Sequence, residues 1–386
     1  MNSNSRLRLV VGAFSFLAAL CASRPAAAVV IELPYVGPGL PVPIMTGLTS
    51  SAALATATWE SYFSDPVVLK FSITSAVLPG GALGYFDVDP TTSPYSYTKV
   101  AGALAGDATS PEDFSAVSAL QPGPALSMIT NDTTSAPTLR SFYPDTSPLT
   151  FNSTLRLTSA NQKALGLIPG TGGGIGSDGT IVLNSTFLPL MDFDPSDGIG
   201  AGLFDMTAIL IHEMAHGMGF ISGVDHIDYA SSDGGLTVGP DFPHDYSTET
   251  IFTVLDLYRY SAESVGFITQ PPFGKVLDWA AGTSSITDNP YFSIDGGGTS
   301  LATFSTGALF GDGFQAQHWK DSKFLGGSPP GIMDPDLGKA ELGVVTALDV
   351  TALDVIGWTL VPEPSAMWLA AIGLATLTVV GWRRRR

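Results

Sequence analysis

The sequence predicts an α+β protein, because helical and strand patterns both occur within a chain rich enough in apolar residues to form a large core. Residues 67–74 contain several β-branched residues and alternate apolar with polar positions, as a half-buried strand does, and residues 180–184 are typical of a second strand. Residues 49–63 contain few helix breakers, and an apolar helical segment begins near residue 206. Hydrophobic residues make up 45% of the chain and charged residues 13%, with 43 Gly and 28 Pro, which favours a loop-rich globular body.

The N-terminal end has the pattern of an export signal. Arg6 and Arg8 precede an apolar run over residues 9–22, and the small residues 26–28 follow it as a cleavage site. We therefore interpret residues 1–28 as a signal peptide, which makes signal peptidase a partner. The single cysteine, Cys21, lies inside this segment, so the mature chain has no disulfide framework.

The charge balance excludes one class of partner. The chain has 17 basic and 35 acidic residues, a net charge of −18, and seven of the basic residues lie in the two end segments. The central body is thus strongly acidic and repels phosphate backbones, so we expect no nucleic-acid binding.

The strongest chemical signal is the motif His212-Glu213-x-x-His216. Residues four apart share one face of a helix, so both imidazoles can bind one zinc ion. Glu213 is rotated away by one residue and can act as general base, since zinc lowers the pKa of a bound water molecule to about 7. The expected reaction is hydrolysis of a peptide bond.

Gly219 extends the motif to His-Glu-x-x-His-x-x-Gly, and a glycine there can end the helix with a positive φ. At this point the chain resembles the metzincin metalloproteases. The resemblance implies a twisted mixed sheet, an active-site helix behind an edge strand that binds substrate, and an irregular C-terminal subdomain. It assigns the edge-strand position to residues 180–184. Most of the family has a third His three residues after the Gly, where this chain has Ser222.

The residues alone leave the third ligand open, although a catalytic zinc site needs three protein ligands. Asp225 and His226 follow the helix closely, His244 and Glu249 lie further along, and His318 is more distant.

A second resemblance favours His318. A His-Trp pair at residues 318–319 is followed by Gly331-Ile-Met-Asp-Pro335, which resembles the Met-turn of metzincins with Met333 as its methionine. The order of these motifs is similar to that of leishmanolysin-like proteases, and closer still to exported bacterial metalloproteases that carry sorting tails. The resemblance implies zinc ligands His212, His216 and His318, with Asp225 or His226 as alternatives to His318.

The C-terminal tail carries the second strong signal. Val361-Pro-Glu-Pro364 precedes an uncharged run over residues 365–382 and four arginines at 383–386. Eighteen helical residues span about 27 Å, barely enough to cross a bilayer. The tail resembles the Pro-Glu-Pro (PEP-CTERM) signal read by exosortases in Gram-negative bacteria. It implies transient anchoring in the inner membrane and a cell-surface, matrix or secreted destination.

Two weaker patterns complete the interpretation. Asp192-Phe-Asp-Pro-Ser-Asp-Gly198 either holds Ca²⁺ or forms an acidic turn, and its Gly comes one place late for a calcium loop. Residues 341–356 predict a helix in which Ala347-Leu-Asp-Val350 repeats as Ala352-Leu-Asp-Val355.

The sequence thus predicts four segments. Residues 1–28 form the signal peptide, 29–222 the N-terminal part of a catalytic domain, 223–360 its C-terminal part, and 361–386 the sorting signal with a transmembrane segment. The predicted function is that of an exported zinc endopeptidase acting on protein or peptide. The alternative is a surface or matrix binding protein whose zinc site is not catalytic.

Overall fold

A computed structural model describes residues 28–88, 94–134, 142–171, 176–231, 239–264, 275–282 and 289–362. Residues 1–27 of the predicted signal peptide and the uncharged tail segment therefore lie outside the described residues. No helix within the described ranges combines the length and hydrophobicity that crossing a membrane requires.

The described chain mixes helices and strands. The helices are α1 (Val42–Tyr62), α2 (Tyr97–Asp107), α3 (Pro111–Ser118), α4 (Thr150–Ser153), α5 (Ser159–Ala164), α6 (Met206–Met218), α7 (Val224–Ala230), α8 (Ser322–Leu325) and α9 (Ala347–Val355). The strands are β1 (Val30–Glu32), β2 (Val68–Ala76), β3 (Gly84–Val88), β4 (Tyr95–Ser96), β5 (Met128–Asn131), β6 (Phe142–Asp145), β7 (Thr154–Leu155), β8 (Gly179–Asn184), β9 (Met191–Asp192), β10 (Phe204–Asp205), β11 (Arg259–Tyr260), β12 (Leu277–Asp278), β13 (Tyr291–Phe292) and β14 (Ala302–Thr303).

The largest sheet has the strand order β1-β2-β8-β3. β1, β2 and β8 are parallel, whereas β3 pairs antiparallel with β8. Assignment of the edge strand to residues 180–184 was therefore wrong, because β8 is paired on both sides and β3 forms the edge. The periodicity that identified a strand at 180–184 does not reveal how many neighbours it has, and Ile181 and Leu183 are both fully buried.

Helix α6 carries the His-Glu-x-x-His motif, and the predicted end of this helix at Gly219 is confirmed. Asp205 is the N-cap, since its side chain accepts a hydrogen bond from the Ala208 N–H at 3.0 Å. Gly219 ends the helix with φ +117°, a conformation that residues with a Cβ rarely adopt. The sequence therefore sets the length of this helix at both ends.

Two buried tryptophans attach α6 to its surroundings. The Trp59 indole N–H on α1 donates to the Ile211 carbonyl at 3.0 Å, and the Trp358 indole donates to the Met218 carbonyl at 2.8 Å. Both rings are fully buried. Loss of either ring would cost about 3–5 kcal/mol. Helix α6 is thus held from the N-terminal and the C-terminal parts of the chain.

The C-terminal part is built from short elements rather than one large sheet. Strands β11, β13 and β14 form one three-stranded sheet, and β12 joins β5 and β6 in another. Helix α9 begins at Ala347 and not at the predicted residue 341, because the Thr346 and Asp349 side chains form a capping box there. Residues 341–346 instead form a non-helical segment that packs near α6, where Gly343 lies close to Ala208.

A cluster of acidic side chains lies where α2, α3 and α9 approach the end of α1. The pKa of Asp65 is raised to about 6, and those of Asp107 and Asp354 to about 7. Burial is the main cause, and neighbouring carboxylates raise the pKa values further. These groups therefore bind protons more tightly in the folded chain than in the unfolded chain.

We expect this cluster to make the folded chain more stable as the pH falls from about 7 towards about 4, because protons then bind preferentially to the folded state. Asp107→Asn should raise the free energy of unfolding at pH 8 and flatten its dependence on pH across this window. Urea unfolding at pH 5 and pH 8 measures both effects. Asp197→Asn, at an exposed turn, is the control, and an unchanged pH slope in Asp107→Asn would contradict the assignment.

Candidate metal centre

Three histidine side chains converge on one point beside α6. His212 and His216 lie one turn apart on the helix, and His318 comes from the loop between β14 and α8. The Nε2 atoms of His212, His216 and His318 are 3.2 Å apart in each of the three pairs. Within the described residues this is the only grouping of three or more His, Cys, Asp or Glu side chains close enough to bind a metal ion.

In each ring, the hydrogen bond made by Nδ1 determines how Nε2 is oriented. His212 Nδ1 contacts the Ile332 carbonyl at 2.7 Å, His216 Nδ1 the Phe220 carbonyl at 2.7 Å, and His318 Nδ1 the Gln315 carbonyl at 3.2 Å. A carbonyl only accepts, so each Nδ1 carries the proton and donates it. Each Nε2 is left with a lone pair directed towards the other two rings.

The electrostatic environment keeps the three rings neutral. Burial lowers the pKa of His212, lowers that of His216 to about 3 with a further contribution from His212, and lowers that of His318 well below its usual value. Neutral imidazole is the form that binds metals.

The three nitrogens fit a divalent cation of the zinc type. Nitrogens bonded to Zn²⁺ at about 2.0–2.1 Å in a tetrahedron lie about 3.3–3.4 Å from each other, close to the 3.2 Å spacing here. Without a cation, three converging lone pairs have no donor between them and repel one another. The donor set, three imidazoles, also suits zinc.

Glu213 follows His212 on the same helix and lines the same cleft. It is buried, its Oε2 atom has no hydrogen-bond partner, and burial raises the pKa of its carboxyl group to about 8. Its Oε1 atom lies 3.3 Å from the position that a Cβ on Gly84 would occupy, so Glu213 also approaches the edge strand β3. An unpartnered buried carboxylate is costly for a purely structural role and is typical of a group that exchanges protons.

The histidines and Glu213 lie in a cleft of about 880 Å³. Strand β3 forms one wall, and the segment around the Met333 turn (residues 331–335) with residues 336–346 forms the other. The apolar side chains that line it include Leu83, Phe86, Val88, Leu337, Leu342 and Val344. Its carboxylates are those of Glu213, Asp334, Asp336 and Glu341, and no Lys or Arg of the described chain lines it.

The structure does not bring the alternative third ligands into the cluster. Ser222 donates to the Asp256 carboxylate at 2.6 Å, so the residue three places after Gly219 serves a structural contact. Asp225 accepts a hydrogen bond from the Ala316 N–H at 2.7 Å and supports the loop that carries His318. His226 is exposed.

His244 and Glu249 also lie elsewhere. They pair with each other through His244 Nε2 and Glu249 Oε1, 2.6 Å apart and partly exposed to solvent. Neither side chain belongs to the three-histidine cluster.

The segment 192–198, for which the sequence left a calcium loop and an acidic turn as alternatives, is closed by hydrogen bonds to its own backbone. Asp192 accepts from the N–H groups of Asp194 and Gly200, and Asp194 accepts from that of Ser196. This is the pattern of an acidic turn.

Met333 is fully buried, and its carbonyl accepts from the Trp319 N–H at 3.0 Å, which joins its turn to the segment of His318. Sequence reasoning missed the residue that supports this contact, Asp349, whose carboxylate accepts from the Trp319 indole. The only signal for it was the repeated Ala-Leu-Asp-Val.

Comparison with known proteins identifies the tail and nothing else. A family model described as the PEP-CTERM protein-sorting motif matches residues 360–386. Neither a search of curated proteins nor a search of solved structures found a match. The motif makes the chain an exported bacterial protein that an exosortase-type enzyme recognises and that is anchored or processed at the membrane.

We expect His318→Ala to weaken zinc binding, because only two of the three converging nitrogens remain. The loss should exceed the roughly 10–100-fold that removal of an outer partner of a ligand costs. Zinc content after dialysis and competition with a chromophoric chelator measure it. His226→Ala, an exposed histidine outside the cluster, is the matched control, and equal zinc content in both variants would exclude His318 as a ligand.

Proposed function

We propose that the protein is an exported zinc-dependent endopeptidase with a metzincin-like fold, similar to leishmanolysin-like proteases. The observation that carries this proposal is the convergence of three neutral imidazoles beside an unpartnered glutamate in one cleft. His212, His216 and His318 are the proposed ligands, and Met333 is the proposed methionine of the Met-turn.

Zn²⁺ held by these residues would supply a Lewis acid for the peptide carbonyl and would lower the pKa of a water molecule to about 7. The chain itself contributes the proton transfers. Burial favours the protonated form of Glu213, whereas the positive charge of a bound Zn²⁺ would favour the ionised form. The ionised Glu213 carboxylate accepts a proton from water and delivers it to the leaving amine. Its burial excludes competing solvent from the free oxygen.

The edge strand β3 offers a binding surface for an extended peptide. The Leu83 carbonyl accepts from the Asn184 N–H, so residues 83, 85 and 87 face β8 in the antiparallel register. The backbone groups of Gly84, Phe86 and Val88 therefore point away from β8, and these residues line the cleft. No described strand pairs with that edge. A substrate strand can add there through main-chain hydrogen bonds.

The two chain ends support an activity outside the cytoplasm. We propose that signal peptidase removes residues 1–28 in a Gram-negative bacterium, and that residues 365–382 span the inner membrane until the exosortase-type enzyme acts. The body would then reach the cell surface, the extracellular matrix or the medium. Four arginines at the C-terminus remain on the cytoplasmic side, which agrees with an exported body.

A second candidate is a surface or matrix binding protein with a non-catalytic zinc site. The observation that favours it is Ser222, which replaces the histidine usual in the family and is engaged with Asp256. In that case the three histidines would hold zinc for stability, and Glu213 would have no substrate.

Glu213→Ala separates the two candidates. We expect it to abolish cleavage of casein while zinc content stays at one ion per chain, because Glu213 moves protons and is not a ligand. The wild type is assayed for zinc and for casein cleavage alongside the variant. A wild type that holds zinc but cleaves neither casein nor any member of a peptide library would support the binding protein instead.

The charge of the cleft predicts a substrate preference. All of its charged residues are acidic and the whole chain carries −18, so a peptide with Lys beside the cleaved bond should be favoured over one with Glu. We expect a several-fold higher kcat/KM for the Lys peptide of an otherwise identical pair, and a difference that shrinks as salt rises. Glu341→Gln should narrow the difference, whereas Glu249→Gln, outside the cleft, should not. Equal rates for both peptides at low salt would contradict this assignment.

A further inference from the structure

We propose that Asp349 is the positioning residue of the metal centre, and that its carboxylate holds two of the three imidazoles in place. The proposal rests on the zinc site described above. Asp349 lies in the first turn of α9 and does not line the cleft. In the sequence it belongs only to the repeated Ala-Leu-Asp-Val, to which no chemical role was assigned.

One carboxylate joins three segments of the chain. Its Oδ1 atom accepts from the Trp319 indole N–H at 2.8 Å and from the Met333 N–H at 3.4 Å. Its Oδ2 atom accepts from the Ile332 N–H at 2.9 Å and from the N–H and hydroxyl of Thr346 at 2.8 and 3.0 Å. Asp349 thereby connects the start of α9, the Met333 turn and the residue next to His318.

Two of these connections lead directly to a proposed zinc ligand. Ile332 donates its N–H to Asp349 and presents its carbonyl to His212 Nδ1 at 2.7 Å. Trp319 follows His318 directly, and its own N–H donates to the Met333 carbonyl at 3.0 Å. Asp349 thus fixes the acceptor that orients His212 and the segment that carries His318. His216 depends instead on the Phe220 carbonyl.

The site is built closely around this side chain. Asp349 is fully buried, and a Cβ on Gly331 would lie 2.2 Å from its Oδ2 atom, so the turn needs glycine to approach it. Five donors face two oxygens, and a carboxylate can accept all of them. Asparagine keeps the shape but turns an NH₂ group towards donors, which leaves buried groups unpaired.

The repeated sequence supplies a matched control on the same helix. Asp354 occupies in the second Ala-Leu-Asp-Val the position that Asp349 has in the first. Five residues at about 100° each put the two side chains about 140° apart around the helix. Asp354 is equally buried but faces away from the metal centre, where it accepts from the Ser110 hydroxyl at 2.6 Å.

The test compares Asp349→Asn with Asp354→Asn in the full chain, purified in detergent. Zinc affinity is measured by competition with a chromophoric chelator, and the rise in melting temperature on adding zinc is measured beside it. We expect Asp349→Asn to bind zinc about 10–100-fold more weakly, as loss of an outer partner of metal ligands does. Asp354→Asn should bind zinc within about twofold of the wild type, whatever its effect on the melting temperature of the zinc-free chain.

Should Asp349→Asn not fold, Trp319→Phe decides, because it removes one donor to Asp349 and keeps an aromatic ring. Weaker zinc binding in either Asp349→Asn or Trp319→Phe, with Asp354→Asn unchanged, supports the proposal. Wild-type affinity in a folded Asp349→Asn, or in Trp319→Phe when Asp349→Asn is unfolded, overturns it, as does equal weakening in Asp354→Asn.

The affinity measurement does not depend on cleavage, so the two proposals fail separately. If the wild type binds zinc tightly but cleaves no peptide, the proposed endopeptidase activity is contradicted. The role of Asp349 is then still decided by the zinc affinities of the variants. A wild type that binds no zinc overturns both.

Discussion

Three hydrogen bonds from imidazole Nδ1 atoms to backbone carbonyls are the interactions on which the candidate site depends. They orient His212, His216 and His318 so that their Nε2 lone pairs meet at one point. Each carbonyl belongs to a different local structure. Phe220 follows the left-handed residue that ends α6, Ile332 lies in the Met333 turn, and Gln315 lies in the loop that carries His318 itself.

These local structures are held by groups that never reach the cleft. Asp225 supports the loop of His318 through the Ala316 N–H, and Asp349 joins that loop to the Met333 turn and to α9. Trp59 and Trp358 fix α6 from opposite ends of the chain. The centre is therefore rigid because the fold surrounds it, and a short motif on one helix would not hold three rings by itself.

The cleft combines this centre with features that suit an extended chain. An unpaired strand edge lies on one side, an apolar and acidic wall on the other, and a glutamate with a free oxygen between them. The sorting tail indicates that the chain, and this cleft with it, is exported. The family model covers the tail alone, so arguments about the body rest on its own geometry.

The sequence by itself determined those features of the structure that depend on residues close together in the chain. Spacing and side-chain type are enough to locate strands β2 and β8 and the two ends of α6, at Asp205 and Gly219. They also place His212 and His216 on one face of that helix. The sequence also favoured His318 through the order of its motifs. Tertiary structure alone decided that β3 and not β8 is the edge, that Ser222 serves Asp256, and that Asp349 supports the centre. These facts depend on contacts between residues that are far apart in the chain, and periodicity carries no information about which distant segment a side chain will meet.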